Sequence, residues 1–207
     1  SGTGHLEKFV RLSNKQKPDL VLLPGDLVDD SPQRFINKGM GEVMKNLEAT
    51  YGVYGVPGNH EYYGNEIPEF KQAMAESDVR ILMDETILVE NRFYLTGRED
   101  LTNKNRLALN ELQPENQELP WFVMNHTPMD LDEPANLGVD FHVSGHTHRG
   151  QMWPNHFITE RIFELDYGHR QKEQMHALVS SGFGFWGPPT RLGSQSELWV
   201  IDVKFSE

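Results

Sequence analysis

The chain has 207 residues, a net charge of −12 at pH 7 and no cysteine. This length favours a single domain over residues 1–207, and the acidic balance argues against a broad nucleic-acid surface. The absence of cysteine excludes disulfides and thiolate metal sites. The sequence contains no apolar run that could span a bilayer and no signal-peptide pattern at Ser1, so we expect the chain as given to be soluble.

The first half of the chain alternates helix and strand patterns. Helical spacing of apolar residues, together with Ser and Pro at one helix start, predicts helices over 5–16, 31–49 and 66–77. Short apolar runs bounded by Gly and Pro predict strands over 20–23, 51–57 and 80–82. The run at 20–23 is apolar throughout, which is typical of a strand covered on both faces.

The second half is richer in strands. The predicted strands are 86–89, 92–96, 121–124, 139–143, 177–179 and 198–201. A modest helix is predicted over 103–112, and the polar stretch 154–174 is predicted to be irregular. The sum is an α/β layered architecture with one or two sheets between helices.

Four of these predicted strands end in a glycine or a turn followed by a residue that can bind a metal ion. In open α/β sheets the ligand site lies beyond the carboxyl ends of the strands, so the four ends could converge. Taken singly, Asp26 is better explained as a turn or cap residue, and Asn59 as a left-handed turn residue. Taken jointly, the set predicts a site for manganese, iron or zinc. Its members are Asp26, Asn59, His126 and the pair His146 and His148.

These residues lie in motifs that resemble those of the calcineurin-like metallophosphoesterases. The motifs are Gly-Asp at 25–26, Gly-Asn-His-Glu at 58–61, Asn-His at 125–126 and Gly-His-Thr-His at 145–148. Their order matches the family over nearly the whole chain, which implies an αββα sandwich. Residues 149–151 and 184–193 resemble the bacterial branch that is often made with an amino-terminal membrane segment.

The resemblance implies two divalent metal ions and hydrolysis of a phosphomonoester or phosphodiester by a metal-activated water. Asp26 would bridge the two ions, and His148 would belong to the first site. His60 would contact the scissile phosphate or protonate the leaving oxygen. The residues that complete the second site would be Asn59, His126 and His146.

The chain departs from the family at its beginning, because the family's first motif, Asp-x-His at the end of the first strand, is absent. The first site then keeps only Asp26 and His148. We expect the chain to be an amino-terminally truncated fragment whose parent encodes an apolar strand ending in Asp-x-His. Farther upstream, the resemblance allows a membrane-spanning segment, which would place the parent at the bacterial cytoplasmic membrane. The vacant sheet position would also allow an oligomer, if another copy's strand filled it.

Two classes of function remain open on the sequence. The enzyme hypothesis has a phosphoester substrate, and the membrane-associated branch suggests a lipid-linked one. The alternative is a non-catalytic interaction scaffold, because the fold also resembles that of a retromer subunit. A scaffold has no need of His60 or of the second-site residues, and their presence favours the enzyme.

Overall fold

The computed structural model describes residues 3–28, 31–145, 164–165, 167–182 and 197–205. The helices of this part of the chain are α1 (Thr3–Lys15), α2 (Pro32–Asn37), α3 (Met40–Met44), α4 (Asn59–Tyr63), α5 (Ile67–Glu76) and α6 (Asp132–Asn136). The strands are β1 (Val21–Leu23), β2 (Val53–Gly55), β3 (Arg80–Ile81), β4 (Glu85–Val89), β5 (Phe93–Gly97), β6 (Trp121–Met124), β7 (Phe141–Ser144), β8 (Gly168–Lys172) and β9 (Met175–Val179).

The helix predicted over 31–49 forms as two shorter helices. It begins as expected, because the Ser31 side chain accepts a hydrogen bond from the Arg34 N–H and Pro32 occupies the first turn. It then breaks at Gly39, whose φ of 68° is left-handed and does not continue a helix. The helix predicted over 103–112 was also too long, because only a 3₁₀ turn at Leu109–Leu112 forms there.

The strands form two sheets, and in each sheet the carboxyl ends of neighbouring parallel strands lie level with each other. The smaller sheet is parallel in the order β1-β2-β3, and the larger is mixed in the order β4-β5-β6-β7-β9-β8. Leu23 is opposite Gly55 in the smaller sheet, and Met124 is opposite Val143 in the larger one. The carboxyl ends of β1 and β2 therefore lie level with each other, as do those of β6 and β7.

Apolar side chains divide the molecule into layers, which confirms the α/β layered fold. One buried cluster joins α1, α2, α3 and α5 to the smaller sheet, and another packs Leu131 and Ala135 on the outer face of the larger sheet. Between the sheets, Phe93, Leu95 and Phe122 pack against Leu22 and other side chains of the smaller sheet. This sandwich holds the two sets of strand ends against each other.

One edge of β1 has no neighbouring strand among the described residues. Odd-numbered residues bond to β2: the Val21 N–H donates to Gly52 and the Leu23 carbonyl accepts from Val56. By the alternation of a strand, the backbone groups of Leu22 point to the other edge. A cavity of about 780 Å³ lies along that edge, and residues 198–205 line its far side. That another strand fills this position stays a prediction.

Two further expectations for the second half were wrong. β8 forms within the stretch predicted to be irregular, because Gly168 to Lys172 pair antiparallel with β9. Its side chains are largely exposed and polar, so the hydrophobic pattern does not signal a strand. Conversely, residues 198–201 adopt no regular structure despite their apolar sequence, since no strand among the described residues pairs with them.

Candidate metal centre

Three of the expected ligands meet where the two sheets come together. Asp26 follows β1, Asn59 begins α4 just after β2, and His126 follows β6. His126 Nε2 lies 3.0 Å from Asn59 Oδ1 and 3.2 Å from Asp26 Oδ2. The convergence of these three strand ends agrees with the expectation drawn from the sequence.

Local backbone geometry brings the two sheets close enough for this contact. Asp26 has a φ of 50°, in the left-handed region, and Gly25 before it has a φ of 90°. A Cβ on Gly25 would lie 2.3 Å from His126 Nδ1, and a Cβ on Gly58 would lie 2.2 Å from Asp26 Oδ1. Only glycine fits at these two positions, because each lies directly against a ligand side chain.

His126 is held in one orientation by a backbone carbonyl. Its Nδ1–H donates to the Pro24 carbonyl oxygen at 2.8 Å, which leaves Nε2 to face the oxygens of Asp26 and Asn59. A metal-binding histidine typically donates its other ring N–H to a carbonyl or carboxylate in this way. Burial lowers the pKa of His126, but the hydrogen bond and the charge of Asp26 outweigh it, so the net shift is upward.

This donor set fits a cation. With Nδ1–H donated to Pro24, His126 Nε2 faces the oxygens of Asn59 and Asp26 at hydrogen-bond distance, and a divalent cation can take the place of the proton that these three atoms share. A carboxylate, an amide oxygen and an imidazole together suit borderline divalent ions. In the described part of the chain, no group of three His, Asp or Glu side chains is placed to hold an ion. His146 and His148, the other expected ligands, lie outside the described residues.

Glu61 is a buried carboxylate beside this site, and the sequence assigned it no role. It accepts the backbone N–H groups of Leu27 and Val28 through Oε1, at 2.6 and 3.0 Å. Through Oε2 it accepts those of Gly58 and Asp26, at 2.7 and 3.2 Å. Burial, and then the charge of Asp26, raise the pKa of Glu61. The available signal was its place three residues after Gly58, since a Glu at that position often caps a helix start.

His60 lies in the first turn of α4, directly after Asn59. Its backbone N–H donates to Asp26 Oδ1 at 3.2 Å, which ties α4 to the loop after β1. Its ring is half-buried and lies 5.9 Å, centroid to centroid, from the ring of the exposed Tyr63. An imidazole that is open to solvent beside the centre can exchange protons with a bound molecule.

Comparison with known proteins now identifies the type of domain. A family model described as "Calcineurin-like phosphoesterase" matches residues 2–150. An uncharacterized metallophosphoesterase of Helicobacter pylori is 30% identical over 200 residues, which cover 93% of this chain and 53% of that protein. An uncharacterized metallophosphoesterase of Aquifex aeolicus is 29% identical over 96% of this chain and 78% of its own length.

Other comparisons bear on the fold and on the setting of the domain. A "Transmembrane protein with metallophosphoesterase domain" of Danio rerio is 26% identical over 98% of this chain and 50% of that protein. The crystal structure of TT1561 of Thermus thermophilus covers 85% of this chain and 82% of that one, with a TM-score of 0.54 and 14% identity. The chain spans about half the length of the first curated relatives it matches. Within the described residues, no helix is long and apolar enough to cross a membrane.

Proposed function

Because the chain belongs to the calcineurin-like phosphoesterase family, we propose that it hydrolyses a phosphomonoester or a phosphodiester at a centre of two divalent metal ions. The observation that supports this most directly is the convergence of Asp26, Asn59 and His126 around His126 Nε2. The residues that would hold the ions are Asp26, Asn59, His126, His146 and His148.

Each ligand has a part that its chemistry suits. The two oxygens of Asp26 can divide between two ions, and Asn59 adds an oxygen ligand without adding negative charge. His126 supplies Nε2 while Pro24 holds its other nitrogen. His146 would join these three at the second ion, and His148 would join Asp26 at the first. When bound, manganese, iron or zinc would polarise the phosphoryl oxygens and lower the pKa of a water.

His60 would act on the substrate rather than on the metal. It lies next to Asn59 in α4, and its half-buried ring can reach a molecule bound above the strand ends. As a general acid it would protonate the leaving oxygen, and as a neutral or charged donor it would orient the phosphate. The surface charge makes the cations necessary, since a chain of net charge −12 repels an anionic substrate that approaches a site without them.

A lipid-linked phosphoester is the substrate class that we propose for the parent protein. The support is the family relatives that are named transmembrane proteins. The placement of the parent at a membrane is part of the same proposal.

The test is hydrolysis of a nitrophenyl phosphodiester and of a nitrophenyl phosphate by the 207-residue chain, with metal analysis of the same sample. We expect excess chelator to abolish hydrolysis, and manganese to restore it better than magnesium, because imidazole-containing sites prefer borderline ions. Full activity in excess chelator would contradict a dissociable-metal mechanism. A protein that binds no metal and hydrolyses neither compound would favour the non-catalytic scaffold instead.

A further inference from the structure

Both carboxylate oxygens of Glu61 accept hydrogen bonds from the backbone of two loops. Each oxygen accepts two N–H groups, with N···O distances from 2.6 to 3.2 Å. The residue is 5% exposed, so water reaches it little. Four N–H donors satisfy both oxygens of this buried side chain, so the oxygens are already engaged and need no cation as a partner.

The backbone that Glu61 holds is the backbone of the ligands. One of the four N–H groups belongs to Asp26 itself, and another belongs to Gly58, immediately before Asn59. Asp26 is in the left-handed region at a φ of 50°, which costs a non-glycine residue free energy that its surroundings must offset. The bonds to Leu27 and Val28 fix the chain just after this strained residue.

We propose that Glu61 is a positioning residue: by joining the loop after β1 to the start of α4, it fixes the separation of Asp26 and Asn59 and thereby the affinity of the centre for its divalent ion. This inference rests on the proposed function, because it requires that these two residues bind an ion. Glu61 does not touch the ion. It acts through the backbone on which the two ligands are carried.

Two substitutions separate this role from a purely electrostatic one. Glu61→Gln keeps the length of the side chain, but its NH₂ group must face two N–H donors whichever way the amide is turned, so two of the four bonds are lost. Glu61→Asp keeps the charge, but the carboxylate is withdrawn by about 1.5 Å, the length of one C–C bond. If only the negative charge mattered, the Asp variant would bind the ion normally.

Asp84 supplies a matched control. Its carboxylate also accepts two backbone N–H groups of a loop, from Glu99 at 3.0 Å and Leu107 at 2.7 Å, and it too has a left-handed φ of 50°. None of these residues is among the expected ligands. Asp84→Asn therefore tests what general loosening of a loop does to metal binding.

The experiment measures Mn²⁺ affinity by isothermal titration calorimetry and electron paramagnetic resonance, with thermal unfolding followed by circular dichroism on the same samples. We expect both Glu61 variants to bind Mn²⁺ about 10- to 100-fold more weakly than the wild type, the usual effect of removing a group that orients a ligand. Asp84→Asn should lower the unfolding temperature while its Mn²⁺ affinity stays within about threefold of the wild type. The absorption spectrum of bound Co²⁺ should change in the Glu61 variants only.

The outcomes separate the inference from the proposed function. Mn²⁺ affinity within about threefold of the wild type in both Glu61 variants would overturn the positioning role and leave the proposed function intact. Normal affinity in the Asp variant alone, or an equal loss in Asp84→Asn, would also overturn it. A wild-type chain that binds no Mn²⁺ would overturn both. If one Glu61 variant fails to fold, the other decides, and if both fail, amide hydrogen exchange at Asp26 and Gly58 under wild-type conditions must show protection for the inference to stand.

Discussion

Two buried polar regions of this molecule are constructed in opposite ways. Around Glu61, four backbone donors and one carboxylate satisfy one another completely. On the face of the larger sheet that carries α6, a second group, here called the outer-face cluster, consists of Arg98, Arg106, His142 and Ser144. Each contributes a buried nitrogen or oxygen atom that makes no hydrogen bond to the described part of the protein.

The contrast shows where hydrogen bonding is concentrated. A buried polar atom without a hydrogen-bond partner lowers the free energy of unfolding by about 1–3 kcal/mol. The outer-face cluster therefore lowers the stability of the domain unless water forms the missing hydrogen bonds. Glu61, beside the candidate metal centre, carries no such cost, because both of its oxygens accept hydrogen bonds. The backbone that carries two of the candidate ligands is bonded to both oxygens of Glu61, whereas the outer-face cluster keeps buried polar atoms with no hydrogen bond to the described part of the protein.

The largest effect is expected at Asp26, where the backbone bonded to Glu61 adjoins the candidate metal centre. Asp26→Asn removes one of the two carboxylate oxygens that face His126 and His60, and we expect kcat/KM for a nitrophenyl phosphodiester to fall about 1000-fold, because the ion contributes several kcal/mol. Asp140→Asn is the control, since the Asp140 side chain accepts the Trp121 N–H at the other end of the strands. Undiminished activity of Asp26→Asn would show that the metal-centre assignment is wrong.

A smaller effect is expected from His60, which distinguishes substrate chemistry from metal binding within the same region. His60→Ala should lower kcat about 100-fold, the lower range for loss of a general acid, while bound manganese stays near the wild-type amount. His126→Ala should lose manganese, because its Nε2 faces Asp26 and Asn59. Metal analysis after dialysis checks both, with exposed His169 replaced as the control. Equal metal loss in the His60 and His126 variants would contradict the separate roles.

The outer-face cluster should make stability depend on pH. Burial, with the charges of Arg98 and Arg106, lowers the pKa of His142 to about 4. The unfolded histidine has a pKa of about 6.5, so between these two values the unfolded state binds more protons and stability falls as the pH drops. We expect His142 to account for a loss of about 2 kcal/mol between about pH 7 and pH 5. Urea unfolding at both values checks this, and the loss should shrink in His142→Phe but persist in His169→Phe.

The smallest effect is expected from Ser144, whose replacement tests whether the outer-face cluster contains an unsatisfied polar atom. Ser144 Oγ is buried and has no hydrogen-bond partner in the described part of the protein. Ser144→Ala removes that unsatisfied hydroxyl, and we expect the free energy of unfolding to rise by up to about 1 kcal/mol. Thr96→Val is the comparison, because the Thr96 hydroxyl bonds to Trp121 Nε1 and its loss should destabilise. A destabilised Ser144→Ala would mean that the hydroxyl has a partner after all.

The sequence predicted the strands that carry the site better than the parts that fix its geometry. The apolar runs before Asp26 and His126 are β1 and β6, because a strand buried on both faces is apolar throughout. α4 was missed, because five residues are too few to show helical periodicity. The role of Glu61 was missed for a different reason. The bond to Gly58 follows from a local capping pattern, but its other three partners are backbone groups 33–35 residues away, which no local pattern reveals.

The candidate ligands could be recognised in the sequence only as a set. Asp26, Asn59 and His126 are each ordinary loop residues, and only their recurrence after strands pointed to one site. The structure brings these three together, and the assignment of all five residues as metal ligands stays a prediction. The outer-face cluster could not be anticipated, because the alternation along β7 places His142 and Ser144 on one face but does not tell what covers that face.

Gly25 and Gly58 bear on how this domain could be mapped by random mutagenesis. Neither has a functional group, yet each lies so close to a candidate ligand that any side chain would displace His126 or Asp26. A library selected for activity should therefore be depleted of every substitution at these two positions as strongly as at the ligands. Selection for solubility alone should tolerate Gly58→Ala better than Gly25→Ala, because only Gly25 also has a left-handed φ. At Gly58, depletion of substitutions under selection for activity but not under selection for solubility would then report a requirement for catalytic geometry at a residue that takes part in no chemistry.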